Sequence, residues 1–435
     1  MSDDVDAPVP AVAETAWIPR TPYLRDLAPI PPSRMFLINK GLATYRARNP
    51  ESDVFDASQG DGGASLPGVP PEVLERAFAL QSEHGSAYDM PYGTDAFRRT
   101  VIESYWRLDP SSGWGPENVV ATAGGRDALV KAYAAMLALG HGSLGDWILV
   151  SRVPWISYTW GPYGVGANVL LAPGGAADGW EITPEAVAES AAFAARSGRK
   201  LAGLIITSPD NPTGRTMSAD RQAKLARAAL RAGAAFVLFD WMYHYVTDDE
   251  PMDLGAFLSR FDPSERARLI FMDGITKSLG ASNVRNAHLI ADAEVARFIT
   301  ARASHSVLPS FFSMAVAMSA YEMGFSTATR SIREPTSRSR RALAEFIAGR
   351  GWRAILGQGY YAFIDVGDWL AKIGWRDSEP LGRALAEEHG VTVVPGAFFS
   401  AYGGSWIRFS YATPLERTIG AARRLEEGLD ALAAG

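Results

Sequence analysis

The feature that most constrains the fold is a series of short apolar runs, separated by segments with helical spacing, that begins near residue 117. The runs are rich in Val, Ile, Leu and Phe, and they span 119–122, 147–150, 169–171, 204–207, 236–239, 269–272 and 287–290. Nearly continuous apolar strands that alternate with helices are typical of a parallel sheet covered on both faces. The sequence therefore predicts an α/β fold with a mostly parallel, seven-stranded sheet.

The rest of the chain predicts a second, smaller domain. A chain of 435 residues that is 47% apolar can bury one large core and one smaller core. A long helical region begins after about residue 305, and mixed helix and strand patterns follow up to residue 411. We expect a proline-rich N-terminal arm at 1–50, an N-terminal part of the small domain at 51–85, a large domain at 86–310 and a C-terminal small α+β domain at 311–435.

Composition excludes several classes of function. The chain has no cysteine, which excludes disulfides, thiolate catalysis and cysteine-based zinc sites. Its net charge of -6 provides no basic stripe for nucleic acid or anionic lipid, and its six histidines lack metal-ligand spacing. The proline-rich N-terminus has neither a basic start nor an apolar core like that of a signal peptide. We therefore expect a cytoplasmic protein without metal, nucleic-acid or membrane partners.

Polar and aromatic residues follow the apolar runs where each predicted strand ends. In open α/β sheets, ligands bind outside the carboxyl ends of the strands, so these residues should converge. Together they provide anion-binding backbone at the start of a helix, an aromatic ring for stacking, an amide, a carboxylate, a phenol, an amine and a guanidinium. The residues are Gly124, Gly125, Arg126, Trp155, Asn211, Asp240, Tyr243, Lys277 and Arg285. This set suits a flat, phosphorylated heteroaromatic ring that carries an aldehyde.

Lys277 is the most informative of these residues. It follows directly after the buried run 269–272, where an ammonium is costly unless something neutralises it or uses it. A covalent imine to an aldehyde cofactor is one of the few chemistries that needs a partly desolvated, neutral lysine. Arg285, eight residues later, is close enough to aim its guanidinium at a phosphate beside that lysine.

With these residues assembled, the chain resembles the fold-type I pyridoxal-phosphate enzymes and, within them, the class I/II aminotransferases. It is most similar to the prokaryotic aspartate aminotransferase-like subgroup, over about residues 54–411. The resemblance rests on Asn211-Pro212-Thr213-Gly214, Asp240 with Tyr243, Lys277 with Arg285, and Trp406-Ile407-Arg408-Phe409-Ser410. It implies pyridoxal 5'-phosphate as the cofactor, an amino acid as the substrate, and a homodimer.

The resemblance also assigns roles around the cofactor ring. It implies that Lys277 is the Schiff-base lysine and the general base and acid at the substrate α-carbon. Asp240 then pairs with the ring nitrogen and keeps it protonated. Tyr243 and Asn211 share the ring oxygen, and Trp155 stacks on the ring.

Further roles concern the phosphate and the substrate. Arg285 and the backbone at Gly124 and Gly125 match the phosphate site, and Tyr88 matches a tyrosine that the second subunit contributes to it, so that the active site needs a dimer. Arg408 matches the arginine that clamps the substrate α-carboxylate. The backbone of Gly60 and the amide of Asn211 lie near the same carboxylate.

Two positions depart from the common pattern of the family. Gly274 stands where many members place a phosphate-binding serine, and Arg126 stands where others carry Ser or Thr. Arg126 either replaces the missing phosphate contact or reaches a distal carboxylate on the substrate. A third alternative is that it merely pairs with Asp127 or Asp61.

The resemblance implies an aminotransferase that converts an amino acid to a keto acid through Lys277. The alternative is the same fold and cofactor performing β- or γ-elimination, replacement or cyclisation in specialised biosynthesis, because one carbanion feeds all these pathways. A third hypothesis is a regulator that only senses the cofactor. It would require a DNA-binding module in front, and the N-terminal residues show no helix-turn-helix pattern.

Overall fold

The structure is a computed structural model that describes residues 7–10 and 34–435. The remainder of the predicted N-terminal arm, residues 1–6 and 11–33, lies outside the described residues. Within the described part of the chain, no helix combines the length and the apolar character needed to cross a membrane. The same residues contain no group of three or more His, Asp or Glu side chains placed to hold a metal ion.

Fourteen strands are formed by the described residues. They are β1 (Val9–Pro10), β2 (Phe55–Asp56), β3 (Val119–Thr122), β4 (Trp147–Val150), β5 (Asn168–Leu171), β6 (Leu201–Thr207), β7 (Phe236–Asp240), β8 (Leu269–Gly274), β9 (Ala287–Ala291), β10 (Ala354–Leu356), β11 (Tyr361–Asp365), β12 (Val391–Thr392), β13 (Val394–Pro395) and β14 (Trp406–Ser410).

Seventeen α-helices accompany them in the same part of the chain. They are α1 (Phe36–Arg48), α2 (Pro71–His84), α3 (Asp95–Thr100), α4 (Gly125–Leu139), α5 (Ile156–Trp160), α6 (Pro184–Arg196), α7 (Ala219–Arg231), α8 (Leu254–Leu258), α9 (Pro263–Arg266), α10 (Ile275–Ser278), α11 (Ala293–Ala303), α12 (Phe311–Glu322), α13 (Phe325–Ala328), α14 (Arg330–Gly349), α15 (Gly367–Ile373), α16 (Ser378–Glu388) and α17 (Leu415–Ala434).

The large sheet has the strand order β1-β5-β4-β6-β7-β8-β9-β3. Strands β5, β4, β6, β7 and β8 run parallel, and β9 is antiparallel to both β8 and β3. The seven strands predicted from the apolar runs are all present. The two-residue β1 adds an antiparallel eighth strand at the edge, beside β5.

Local sequence signals explain how the crossover helices begin and why the strands are buried. Ser218 caps α7 by accepting a hydrogen bond from the backbone N–H of Arg221, and Thr183 caps α6 through Ala186. Every residue of β7 and of β8 is buried, as expected for parallel strands covered by helices on both faces. This burial places the carboxyl ends of β7 and β8 side by side at one edge of the core.

The C-terminal part of the chain forms a four-stranded antiparallel sheet, β10-β11-β14-β13, packed with α14, α15 and α17. A separate parallel pair, β2 and β12, aligns Phe55 with Val391. The N-terminal segment therefore joins the C-terminal part, as expected from the sequence. Helix α1, within the segment predicted as an arm, packs on α16.

The domain boundaries predicted at 85/86 and 310/311 stay predictions, but core packing favours other positions. Val73 and Ala77 of α2, and Met314 and Tyr321 of α12, belong to the same apolar cluster as strands β7 and β8. The apolar core of the smaller, C-terminal part of the chain consists of residues from Leu343 onward, together with Ala57. We therefore propose that α2 and α12 belong to the large domain and that the boundary lies within α14.

Candidate active site

The carboxyl ends of the strands bring several predicted site residues together. Lys277 lies in α10, which follows β8 directly, and its Nζ donates a hydrogen bond to the carbonyl of Gly60. Arg408 of β14 donates from Nη1 to Asn211 Oδ1 at 2.8 Å. The large sheet, the Asn211 turn and the small sheet therefore meet at one site.

The Lys277 amine is held in surroundings that favour its neutral form. Burial is the largest effect and lowers the pKa of Lys277. Tyr361 and Asp61 oppose this shift, whereas the positive charges of Arg408 and Arg126 add to it. A lysine with a lowered pKa is a better nucleophile and base at neutral pH.

Asp240 ends β7 with its side chain only 4% exposed. Tyr158 donates its hydroxyl to Oδ2 at 2.6 Å, and the backbone N–H of Met242 donates to Oδ1 at 3.0 Å. Burial raises the pKa of Asp240 to about 6, although these two hydrogen bonds and the charge of Lys277 oppose the shift. A buried carboxylate of this kind is well suited to hold a proton on a cationic ring nitrogen.

Tyr243 and Tyr361 form a pair of buried phenols beside Asn211 and Arg408. Their hydroxyls lie 3.1 Å apart, and the Tyr361 ring lies 4.2 Å below the Arg408 guanidinium carbon. Burial, followed by the influence of Tyr361, raises the pKa of Tyr243 well above its usual value. Tyr243 is therefore a neutral hydrogen-bonding group rather than a phenolate.

The Arg408 guanidinium is fixed and mostly enclosed. Besides Asn211, it donates from Nη2 to the carbonyl of Ser58 at 2.8 Å, and the residue is 5% exposed. Its Nε has no hydrogen-bond partner within the described part of the chain. A buried, oriented guanidinium with a donor still unpaired suits a carboxylate ligand.

The start of α4 forms a cradle that fits a phosphate. Gly124 caps the helix with φ +86°, and a Cβ there would lie 2.3 Å from Arg285 Nη2. Arg285 donates to the carbonyls of Ala123 at 3.1 Å and Ser282 at 2.8 Å, which holds it over the first turn. Unpaired backbone N–H groups from Gly125 onward, with this guanidinium, form an anion site.

Arg126 lies in the same first turn of α4, exposed, with its guanidinium carbon 5.9 Å from the centre of the Trp155 ring. Asp127 is instead engaged by the N–H of Ala123 and by Lys131 Nζ at 2.6 Å. Asp61 accepts from the N–H of Gly63. In the described part of the chain, Arg126 forms no ion pair with either carboxylate, so the third alternative for Arg126 gains no support.

Close packing between two strands explains why position 274 is a glycine. Gly274 opposes Ala287 across β8 and β9, and a Cβ would lie 2.6 Å from Ala287 Cα and 2.8 Å from the Asn286 carbonyl oxygen. Any larger residue, serine included, would push the two strands apart. The serine expected at this position from the family resemblance is therefore sterically excluded.

The structure does not bring Tyr88 into this cluster within a single chain. Tyr88 is 95% exposed. Its neighbour Asp89 is tied to His84 by a 2.8 Å contact between Oδ1 and Nε2. An aromatic side chain held so far into solvent is accessible to another molecule.

Three site residues were missed in the sequence, and only Tyr158 had a local signal. Tyr158 follows Trp155 by three residues, which places both on one face of a helical turn, and the rings meet edge to face at 5.3 Å. Tyr361 opposes Ser410 in β14, so it is a diagonal neighbour of Arg408 on the same face. Asp61 was considered only as a partner for Arg126, and no periodic pattern connects it to Lys277.

Comparison with known proteins agrees with this geometry. The sequence profile described as aminotransferase class I and II matches residues 54–425. An aspartate aminotransferase of Geobacillus stearothermophilus is 24% identical over 375 residues, which cover 84% of this chain and 89% of that protein. An aspartate/prephenate aminotransferase of Cereibacter sphaeroides is also 24% identical and covers 93% and 98% of the two chains.

Solved structures show the same fold. The aspartate aminotransferase of Thermus thermophilus with maleate superimposes with a TM-score of 0.76 at 22% identity, covering 92% of this chain and 97% of that one. The named activities of these relatives are amino-group transfers, which does not favour the alternative of elimination, replacement or cyclisation. The profile match spans most of the sequence, and the chain therefore belongs to the aminotransferase class I and II family.

Proposed function

We propose that this aminotransferase uses pyridoxal 5'-phosphate attached to Lys277 to move the amino group of an α-amino acid to a keto acid. The observation that carries the proposal is the pairing of a desolvated amine and a buried carboxyl, Lys277 and Asp240, at the ends of adjacent strands. The charge of Lys277 is one of the influences that lower the pKa of Asp240, and neither residue has an ion-pair partner in the described residues.

The residues present fit the cofactor. The Gly124 cradle under Arg285 would hold the phosphate, Asp240 would pair with a cationic ring nitrogen, and Lys277 would supply the amine for the aldehyde. When bound, pyridoxal phosphate supplies an electron-withdrawing ring conjugated to the substrate nitrogen. Trp155 offers an aromatic surface for stacking, and the neutral Tyr243 hydroxyl is a donor for the ring oxygen.

Lys277 is the base of the proposed reaction. Burial lowers the pKa of its amine and so favours the neutral form, in which Nζ can remove the α-proton of the substrate and return it. The hydroxyl of Tyr360 donates to the Lys277 carbonyl at 2.5 Å and fixes the short helix α10. Asp240 holds the compensating negative charge, which its two hydrogen bonds stabilise.

Arg408 orients the substrate through its α-carboxylate. Asn211 and the Ser58 carbonyl hold the guanidinium plane, and stacking on Tyr361 restricts its rotation. Its unpaired Nε is available to the ligand. The backbone of Gly60 lies beside the same space, since its carbonyl accepts from Lys277.

Two roles stay open for Arg126, and one variant separates them. If the Arg126 guanidinium contacts the phosphate, in place of a serine at position 274, Arg126→Ala should weaken the retention of pyridoxal phosphate. It should instead raise KM for acidic amino acids, with little change for neutral ones, if it binds a distal carboxylate. Arg99→Ala, on the exposed part of α3, is a control for the loss of one positive charge.

We also propose that the protein acts as a homodimer in which Tyr88 reaches the phosphate site of the partner. Large apolar side chains are also exposed before and after Tyr88 in the sequence, including Phe78 at 69% and Met90 at 59%, as expected for surface that a second subunit covers. Tyr88→Ala should then lower cofactor retention without destabilising the isolated chain. A cytoplasmic location stays a prediction.

The decisive experiment labels the lysine. The protein is incubated with pyridoxal phosphate, reduced with borohydride and digested, and the mass of the Lys277 peptide is measured. Lys277→Ala should lose both the label and amino transfer, whereas Lys131→Ala, which removes another buried lysine, should keep them. Absence of label on Lys277 in the unmodified protein would contradict the proposal, as would product formation from single amino acids without the pyridoxamine form.

A further inference from the structure

A second buried carboxyl, Asp273, lies near the end of β8, four residues before Lys277. It is fully buried, and the proposed reaction does not use it. Asp240 pairs with Met272 in the sheet, and successive side chains of a strand point to opposite faces. Asp273 therefore lies on the far face of the sheet, behind the site that contains Asp240.

Asp273 is held from three sides. Tyr105 donates its hydroxyl to Oδ2, and the backbone N–H of Gly274 donates to Oδ1 at 2.6 Å. The third contact comes from His244, whose Nδ1 lies 3.1 Å from Oδ2. His244 follows Tyr243 directly, so this contact joins the strand that delivers Lys277 to the segment that carries Asp240 and Tyr243.

Among the described residues, no cation contributes to the pKa of Asp273 in a way that would balance a carboxylate. Burial raises the pKa of Asp273, while burial and His288 lower the pKa of His244 to about 3. Trp106 donates from Nε1 to His288 Nε2 at 2.9 Å, so that imidazole is neutral as well. The titratable groups that face the pair are Tyr105, Tyr245 with Arg107 and Glu250 behind it, Tyr321, His288 and, through the sheet, Asp240.

We propose that Asp273 is a positioning residue for Lys277: its contact with His244 holds the end of β8 against the segment that carries Asp240 and Tyr243, and Tyr105 fixes the carboxyl in place. The inference rests on the proposed function of Lys277. Only three residues separate Asp273 from the lysine, and the first of them, Gly274, has no free space around it. A shift at Asp273 is therefore transmitted to Nζ with little loss.

The carboxyl of Asp273 accepts hydrogen bonds from the Tyr105 hydroxyl and from the N–H of Gly274. Its Oδ2 also lies 3.1 Å from His244 Nδ1, a polar contact outside hydrogen-bonding geometry, and neither ring nitrogen of His244 has a hydrogen-bond partner among the described residues. A charged Asp273 would oppose the negative charge of Asp240, because Asp240 itself raises the pKa of Asp273. An amide, which also donates and accepts, should therefore replace this carboxyl well.

The test compares Asp273→Asn and Asp273→Ala with Asp146→Ala. Asp146 is a matched control, since it is 2% exposed and accepts from the N–H groups of Ser143 at 2.7 Å and Lys200 at 2.9 Å, at the opposite end of the sheet. Two quantities are measured for each variant: the Kd for pyridoxal phosphate, and the pH midpoint of the absorbance change of the Lys277-bound cofactor.

Asp273→Ala should weaken binding by about tenfold and move the midpoint by roughly half a pH unit or more, because the carboxyl and all of its contacts are lost. Asp273→Asn should stay within about twofold of the unmodified protein in Kd. Asp146→Ala should lower the melting temperature and leave both quantities unchanged. If Asp273→Ala does not fold, Tyr105→Phe replaces it, with a smaller shift in the same direction.

The inference is overturned if Asp273→Ala changes only the melting temperature, as the control does, or if Asp273→Asn is as impaired as Asp273→Ala. A readout without cofactor completes the test: the ¹⁵N chemical shifts of His244 should show a neutral imidazole from pH 5 to 8 and should change in Asp273→Asn. An imidazolium at His244 overturns a contact between neutral groups. Failure of the unmodified protein to label at Lys277 would instead remove the proposed function.

Discussion

Asp240 and Asp273 are two buried carboxyls at the ends of neighbouring strands, and they are built from similar parts. Each accepts a hydrogen bond from a tyrosine hydroxyl, Tyr158 or Tyr105, and one from a backbone N–H. Burial raises the pKa of both. They differ in what completes the surroundings: the charge of Lys277 lowers the pKa of Asp240, whereas uncharged imidazole faces Asp273.

The difference shows how one sheet edge supports two uses of the same side chain. On the site face, the hydrogen bonds from Tyr158 and Met242 and the charge of Lys277 oppose burial, which raises the pKa of Asp240 to about 6, so the group can hold a cationic ligand near neutral pH. On the far face, hydrogen bonds from Tyr105 and Gly274 oppose burial with no cation among the described residues that contributes, and the pKa of Asp273 lies well above its ordinary value. The neighbours of a buried carboxyl therefore decide whether it acts as a charge or as a hydrogen-bonding link.

The largest effect is expected on the site face of the sheet, when the charge of Asp240 is removed. Asp240→Asn should lower kcat/KM for amino transfer by at least about 10²-fold, because an amide cannot hold the proton on the ring nitrogen. Steady-state kinetics with saturating pyridoxal phosphate measure the effect. Asp273→Asn is the matched variant on the far face and should retain most of the activity.

Equal losses in the two asparagine variants would contradict the division between a charged and a neutral carboxyl. The same kinetics on Asp240→Glu sharpen the test, since a longer carboxylate keeps the charge but displaces it. Partial recovery relative to Asp240→Asn is expected, because the required charge is again present.

The fold and the residues on the site face of the sheet could be predicted, because each depends on a local sequence pattern. Seven apolar runs predicted seven strands, and the rule that ligands bind at carboxyl strand ends selected Lys277, Asp240 and Asn211 without knowledge of the strand order. The recognition of the family, the fold class and the aminotransferase activity are confirmed by the profile match and the relatives. The residue roles stay predictions until they are tested by mutation.

The far face could not be predicted, because its contacts cross long sequence distances. Tyr105, His244 and Asp273 come from three separate segments, and each is an ordinary core residue in its own segment. Tyr361 was missed for a related reason, since its role depends on the pairing of β11 with β14.

A smaller effect compares the two carboxyls through stability rather than activity. In the cofactor-free chain the pKa of Asp240 is raised from 3.8 to about 6, so the folded state binds more protons than the unfolded state between these pH values. The contribution of Asp240 to stability therefore falls as the pH rises through this window. Asp240→Asn removes the cost of ionising a buried carboxyl and should raise the free energy of unfolding at pH 8 by about 1–3 kcal/mol.

Urea unfolding of the cofactor-free proteins at pH 3.5 and pH 8 measures this difference. The gain should be present at pH 8 and absent at pH 3.5, where the native carboxyl is already protonated. A gain of equal size at both pH values would show that the amide improves packing and that ionisation of Asp240 is not involved.

The smallest expected effect concerns the two tyrosines. Tyr158→Phe removes a hydrogen bond that lowers the pKa of Asp240, so the carboxylate should become easier to protonate and kcat/KM should fall by about fivefold to tenfold. The acidic limb of the pH profile for kcat/KM should move to higher pH. Tyr105→Phe removes the corresponding hydroxyl from Asp273 and should move that limb less than Tyr158→Phe does, because Asp273 lies on the far face of the sheet. Shifts of equal size in the two variants would mean that the two faces share one titration.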